Sequence, residues 1–247
     1  METPLITIIT VVLNDEKNIE ETILSVLNQK YKNIQYVIID GESKDRTKNI
    51  IEKYRNNIDT FLSEKDKGIY DAFNKGLSYA KGDLIGFVNS GDTLTEDSLI
   101  YLSKYYNLYE DKDFFFGAVK KHWGILHGYK KWKIHFSWGF YSSHSTGFYI
   151  KKDAAKVVGE YNLKYKYSSD YDLFYRMIVK SKMKGMATKK EEIFGEFRSG
   201  GISSKLSYLE YLNENTKIRI DNGQNIIFVY IIFLIRFIKN IHKVFKK

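Results

Sequence analysis

Between residues 5 and 88 the apolar side chains follow two alternating rhythms, and this alternation restricts the fold more than any other feature of the chain. Residues 5–13 form an unbroken run rich in β-branched side chains, the pattern of a strand buried on both faces. Asn14 follows as a helix-starting residue type, and Ile19, Ile23, Val26 and Leu27 then recur at helical spacing. The cycle repeats: a strand over 34–39, a helix over 44–54, a short strand over 59–62, a helix over 68–80 built on Ile69, Ala72, Phe73, Leu77 and Ala80, and a strand over 84–88. Strand and helix in strict succession imply right-handed crossovers, hence an α/β fold with a mostly parallel central sheet flanked by helices.

The second half is less regular. Residues 114–119 and 145–150 read as strands, 120–138 interleaves Lys, His and Trp without a period, and 170–182 places Leu173, Phe174, Met177 and Ile178 on one helical face. No internal repeat or Pro/Gly/Ser linker separates the halves, so they are expected to share one sheet within a single domain carrying an appendage, a size that 247 residues can supply. In such sheets ligands bind beyond the carboxyl ends of the strands, which directs attention to the loops after Leu13, Ile39, Leu62 and Val88.

Composition narrows the chemistry. The absence of cysteine excludes disulfides, thiolate metal sites and a cysteine nucleophile, so any metal must sit on oxygen or imidazole. A formal charge of +9 favours anionic partners without choosing among nucleic acid, an anionic membrane and a diphosphate substrate. The lysines are dispersed and match no nucleic-acid module, so no nucleic-acid partner is expected. The start of the chain shows no basic, apolar and small-residue succession of a secretory leader, and the expected location is cytoplasmic.

Four segments carry candidate chemistry. Asp40 ends the second strand and leads into Gly41-Glu42-Ser43-Lys44-Asp45-Arg46-Thr47, where an acid followed by glycine and a capped helix start suits contact with a nucleoside, although Ser43 or Asp45 could simply cap the helix. The fourth strand runs into Asn89-Ser90-Gly91-Asp92, where a lone carboxylate flanked by small residues suits a hard divalent cation bridging a diphosphate, or else caps a helix over 95–103, for which Thr95 is a competing cap. In Tyr167-Ser168-Ser169-Asp170-Tyr171-Asp172, Asp170 falls at the first turn of a helix, whose dipole would hold it ionised, while Asp172 points elsewhere and suits a structural pairing with a cation. His122, His127, His135 and His242 have no metal-ligand spacing.

The D-G-x-S-x-D-x-T pattern from Asp40 to Thr47, the first strand from Pro4 to Asn14, and Ser63 to Gly76 (SEKDKGIYDAFNKG) together resemble family 2 glycosyltransferases, in particular a bacterial polysaccharide-biosynthesis branch of the colanic-acid type. That resemblance implies a GT-A nucleotide-diphospho-sugar transferase fold over 1–205, with a nucleotide-sugar half (1–105) and an acceptor half (106–205), followed by a basic helical tail (206–247). It implies an inverting transfer from a nucleotide-diphosphate donor, commonly a UDP-sugar, to a glycan or lipid-linked acceptor, with Mn²⁺ or Mg²⁺ as cofactor. Asp170 would be the base that takes the acceptor's proton, and His144 an acceptor or phosphate contact or an alternative base, unless it is structural. Donor contacts would come from Val12, Asn14, Glu16, Asp40, Ser43, Asp66, Asn74, Lys75, Asn89, Ser90, Gly91 and Arg198, the last in a Phe197-to-Ser203 stretch resembling the family's F-x-x-GG-x-S loop. Asp92 would be the metal ligand, because Asn89 and Gly91 stand where the family often has carboxylates. No Gln-x-x-Arg-Trp motif of processive members occurs, which implies single additions. A sugar-nucleotide binder without catalysis is the rival reading, favoured by the thinned acidic motif and opposed by Asp170.

The uncharged run 225–235 is far shorter than the ~20 residues that span a bilayer. Its basic flank suits peripheral attachment to the inner face of the cell membrane, and a helix packed on the core or on a partner subunit is the alternative.

Overall fold

The protein was analysed as a computed structural model that describes residues 2–137, 145–198 and 206–244. Strand β1 (Ile6–Val12) leads into α1 (Ile19–Leu27), β2 (Ile34–Asp40) into α2 (Thr47–Glu52), and β3 (Thr60–Ser63) into α3 (Ile69–Tyr79), before β4 (Leu84–Phe87). Then come β5 (Thr93–Leu94), α4 (Ser98–Leu108), β6 (Phe114–Phe116), β7 (Ala118–Lys121), β8 (Gly124–Leu126) and a 3-10 turn over Lys131–Phe136. β9 (Phe148–Lys151), α5 (Lys152–Val158) and α6 (Ser169–Tyr175) follow, α6 running into a π-helical turn at Arg176–Lys180. The chain ends in β10 (Gly185–Ala187), β11 (Ile193–Glu196), α7 (Tyr208–Asp221), α8 (Ile226–Lys239) and α9 (Ile241–Val244).

Both halves do share one sheet, of seven strands in the order β10-β6-β9-β4-β1-β2-β3. Strands β4, β1, β2 and β3 run parallel, so their carboxyl ends open on one side, while β9 inserts antiparallel between β4 and β6. Every residue of β1 is buried, as its unbroken apolar run requires. One apolar layer forms on each face: Ile9, Val37, Phe73, Phe87 and Phe148 lie in one, and Ile8, Ile23, Ile38, Leu99 and Tyr149 in the other.

Three expected elements come out differently. Residues 114–119 split at Gly117 into β6 of the main sheet and β7 of a second, four-stranded sheet ordered β5-β11-β7-β8. A side chain at 117 would meet the Phe194 ring at 2.2 Å, so only glycine lets the chain cross between sheets there. Helix α2 starts at Thr47 and not 44, because Lys44 and Arg46 give their N–H groups to the side chains of Asn14 and Glu16. Helix α4 starts at Ser98, because Thr95 is tied to β11 through Ile193 O and Phe194 O and caps nothing.

The stretch expected as a tail divides in two. Helix α7, opened by a Ser207/Glu210 capping box, is bonded along its length to residues 164–172. Helix α8 buries only Val229 and Ile232.

Candidate active site

At the carboxyl ends of the parallel strands the loops after β1 and β2 are joined by side chains of both. Asn14, with φ of 50°, donates its N–H to Ser43 Oγ at 2.7 Å and accepts from Lys44 N at 2.7 Å. Asp15 N donates to Thr47 Oγ1, Glu16 N donates to Asp45 Oδ2, and the Glu16 carboxylate takes both Arg46 N and Arg46 Nε. Val12 closes the seam through its carbonyl, which accepts from Gly41 N. Asp40 lies fully buried beneath, accepting from Ser43 N at 3.0 Å and Ser63 Oγ at 2.6 Å. Its carboxylate therefore fixes the loops after β2 and β3 to each other.

The loop after β3 is held from α3. Lys75 Nζ donates to Lys65 O at 2.8 Å and pairs with Glu64 and Asp71. Burial alone would lower its pKa, but Glu64, Asp71 and Asp66 reverse this and raise it. Asp66 accepts from Gly68 N, and its other oxygen packs against Gly41. Asn74 belongs elsewhere. Its amide donates to Tyr161 O and accepts from Tyr161 N, so both ends are bonded to one backbone segment, which it clamps to α3.

Beyond β4, Asn89 donates to Ser145 Oγ, while its Oδ1 is buried with no hydrogen-bond partner among the described residues. Ser90 Oγ donates to Asp15 Oδ2 at 2.6 Å, and Gly91, at φ of 93°, sits beside that same carboxylate. Asp15 thus stands next to the position where the sequence lacks an acid, a placement made by the turn before α1 and invisible in the linear motif.

Asp92, the residue expected to hold a metal, is turned inward. It is 3% exposed, with Oδ2 accepting from Thr146 Oγ1 at 2.7 Å and Oδ1 from Arg198 N at 3.2 Å. Burial raises its pKa to about 7 against the opposing pull of Thr146, Arg198 and Lys121. The residue turns inward to tie β9's approach and the chain after β11 to the main sheet, a role that required neither a helix cap nor a cation. Among the described residues no group of three or more His, Asp or Glu could hold a metal ion. Together with Asp92's two bonded oxygens, this donor set does not fit an ion bound by the protein alone. Positive charge is supplied instead by Arg198, whose guanidinium bridges Asn18 Oδ1 and Glu21, and by Lys121, half-buried over the Phe197 ring at 4.3 Å.

Asp170 lies in the first turn of α6. Oδ1 accepts from Tyr171 N at 2.8 Å, and the Tyr70 hydroxyl, 3.3 Å away, also donates to Tyr167 O at 2.9 Å. Tyr70 stacks on Tyr161 at 5.6 Å, so the start of α3 brings the β3 loop and Asp170 together. Burial raises the pKa of this carboxyl to about 6, with Tyr171 N and Tyr70 pulling down and Glu214 pushing up. Asp172, by contrast, is fully occupied by Arg176 Nε at 2.8 Å and Asn222 Nδ2 at 2.8 Å, the structural pairing its position suggested. His144 lies outside the described residues.

Comparison with known proteins fits this arrangement. Residues 7–173 match the profile described as Glycosyl transferase family 2. An uncharacterized glycosyltransferase of Haemophilus influenzae is 40% identical over 103 residues, covering 40% of this chain and 41% of that protein. The chain therefore spans about two fifths of that relative. A PGL/p-HBAD biosynthesis glycosyltransferase of Mycobacterium bovis is 26% identical over 231 residues, 86% of this chain and 84% of that one. Among solved structures, S. aureus TarS 1-349 in complex with UDP-GlcNAc superposes with a TM-score of 0.71 at 16% identity, over 95% of this chain and 72% of that one. The mannosyltransferase PcManGT from Pyrobaculum calidifontis, in complex with GDP-Man and Mn²⁺, does so with 0.64 at 13% identity, over 89% and 63%. At such identities the likeness to solved structures speaks to fold alone, which is GT-A.

Proposed function

The chain belongs to glycosyl transferase family 2 and has a GT-A fold, and from that premise we propose that it transfers a sugar from a nucleotide-diphosphate donor, a UDP-sugar, to a hydroxyl of a glycan or lipid-linked acceptor by a single inverting displacement. Surface-polysaccharide assembly at the inner face of the cell membrane is the setting we assign to it, with α8 as the peripheral hold.

The observation that carries this reading is Asp170. A direct displacement at the anomeric carbon needs a base opposite the leaving diphosphate. Asp170 is raised to about 6, which makes it a stronger base than an exposed aspartate while leaving it mostly ionised at neutral pH. The neighbouring Asp172 has no such capacity, because both of its oxygens are bonded to structural partners.

On the donor side, the joined loops of Asn14, Glu16, Ser43 and Asp40 are suited to the nucleoside, with Asp66 and Lys75 framing them. Ser90, Gly91 and Arg198 are suited to the diphosphate. A divalent ion, Mn²⁺ or Mg²⁺, would enter as a companion of the donor's diphosphate. The rival, a nucleotide-sugar binder without turnover, draws on Asn89 and Gly91 but leaves Asp170 and its Tyr70 partner without a use.

Replacing Asp170 by asparagine tests the reading. Turnover should fall by roughly 10²-fold or more while UDP affinity by calorimetry stays within about twofold. NMR of the product should show the anomeric configuration opposite to the donor's. Near-normal turnover in the variant, or a retained configuration, overturns it.

A further inference from the structure

Arg219, on α7, is 1% exposed and among the largest fully buried side chains. Its Nε donates to Gln224 Oε1 at 2.8 Å and its guanidinium lies over the Phe228 ring at 5.7 Å, yet Nη2 has no hydrogen-bond partner among the described residues. The charges that bear on it are of the wrong sign or weak: Arg236, and the neutral phenols of Tyr171 and Tyr175. His135, whose pKa is lowered by burial and then by Arg219, completes the surroundings. No Asp or Glu occurs after Asp221, and none occurs in 138–144 or 199–205. A buried guanidinium beside a second cation is unfavourable unless an anion compensates it.

What lies beside it has the character of a lipid surface. Arg236 bonds Ser137 Oγ and sits over Tyr211, fastening α8 to the 3-10 turn, and Phe136 meets Phe228 at 5.7 Å. From there α8 turns Ile227, Tyr230, Ile231, Leu234, Ile235 and Ile238 outward, each 49–68% exposed. No helix of the described residues is long and apolar enough to cross a membrane, and an exposed apolar face on a helix of this length suits one that lies in the plane of a lipid interface. Lys239 and Lys243 follow at the far end.

We propose that Arg219, seconded by Arg236, is the seat of the phosphate of a membrane lipid whose chain lies along the exposed face of α8. The inference deepens the membrane reading above and rests on it, and it is independent of which residue acts as base. A phosphate oxyanion supplies the acceptor that Nη2 lacks, and a charge-assisted, water-poor contact of that kind is the strong kind. The phosphate can come from bulk anionic phospholipid or from a lipid-phosphate glycan carrier.

The probe is dodecyl phosphate below its micellar concentration, with dodecyl maltoside and inorganic phosphate as controls. The melting temperature of the full chain should rise with dodecyl phosphate and not with either control, because only a ligand bearing both parts fills the site. Arg219→Met, which removes the charge and keeps the bulk, should bind the probe roughly tenfold or more weakly, the size of one charge-assisted hydrogen bond. UDP affinity measured on the same variant should not change, which separates this inference from the transferase reading. Flotation with phosphatidylcholine vesicles containing either phosphatidylglycerol or polyprenyl phosphate identifies the source, the right lipid giving Arg219-dependent flotation. The proposal is overturned if dodecyl phosphate does not stabilise the wild type more than the maltoside does, if inorganic phosphate does as well, or if Arg219→Met keeps the effect. A dimer through α8 that the probe does not dissociate also overturns it. Should Arg219→Met not fold, the wild-type comparison and Arg236→Gln decide.

Discussion

Replacing Tyr70 by phenylalanine removes one hydroxyl from beside Asp170 and leaves the ring that stacks on Tyr161 and meets Phe73 at 5.9 Å. The hydroxyl has a single proton, directed to Tyr167 O at 2.9 Å and shared with Asp170 Oδ1 at 3.3 Å. A long, shared bond of this kind is worth roughly 1 kcal/mol to the ionised carboxylate. At 1.36 kcal/mol per pH unit, its loss moves the titration of Asp170 upward by about 0.7. The sign follows from which form is favoured: the hydroxyl supports the charged carboxylate, so removing it raises a pKa already near 6. If Asp170 must be ionised to accept a proton, kcat/KM in the variant should fall about fivefold well below pH 6 and change less than twofold above pH 8. Initial rates of sugar transfer across pH 5–9, with a melting curve at each pH, measure this. An acidic limb that stays in place, or an equal loss at every pH, refutes Asp170 as the titrating base.

Two further outcomes are expected. Asp92 has its folded pKa raised from an ordinary 3.8 to about 7, so the native state holds the extra proton and its contribution is lost as pH rises through about 7. Asp92→Asn, neutral throughout, should gain stability relative to wild type between pH 5 and pH 8, by at most on the order of 4 kcal/mol, and urea unfolding curves with a pH-independent difference would refute the burial. Ending the chain at Gln224 removes two buried side chains, Val229 and Ile232, at roughly 1.5–3 kcal/mol each, and should leave a folded, less stable protein absent from the membrane fraction. Its persistence there would refute α8 as the hold.

β1 was legible because a strand buried on both faces leaves an unbroken apolar run, and β2, β3 and β4 also lie within a residue or two of the stretches expected for them. The second sheet was not, since β5 has two residues and β8 three, too few for a period, and the turn at Gly117 depends on Phe194 far along the chain. The site divides the same way. Asp172 with Arg176 four residues on is a local pattern that sequence can show. The fates of Asn74, turned to Tyr161, and of Asp92, turned to Thr146 and Arg198, are set by partners 54–106 residues away. A motif names the residues a family uses, and only packing decides whether a given carboxylate faces the ligand or the core.

The contrast between Asp170 and Asp172 shows what α7 contributes. Glu214 accepts from the N–H groups of Lys166 and Tyr167, Asn215 donates to Ser168 Oγ, Asp221 pairs with Lys164 and Tyr165, and Asn222 donates to Asp172. These bonds occupy the chain on either side of Asp170 and leave Asp170 itself to Tyr70 and its own helix turn. A base is effective when its rotamer and its approach are fixed by neighbours that do not compete for its oxygens. Helix α7 meets that condition from outside the region matched to the family, since the match ends at 173. Removal of α8 and removal of α7 are therefore different perturbations: the first takes away two buried apolar side chains, while the second leaves Lys166 N and Tyr167 N without their Glu214 partner and releases the loop that carries the base.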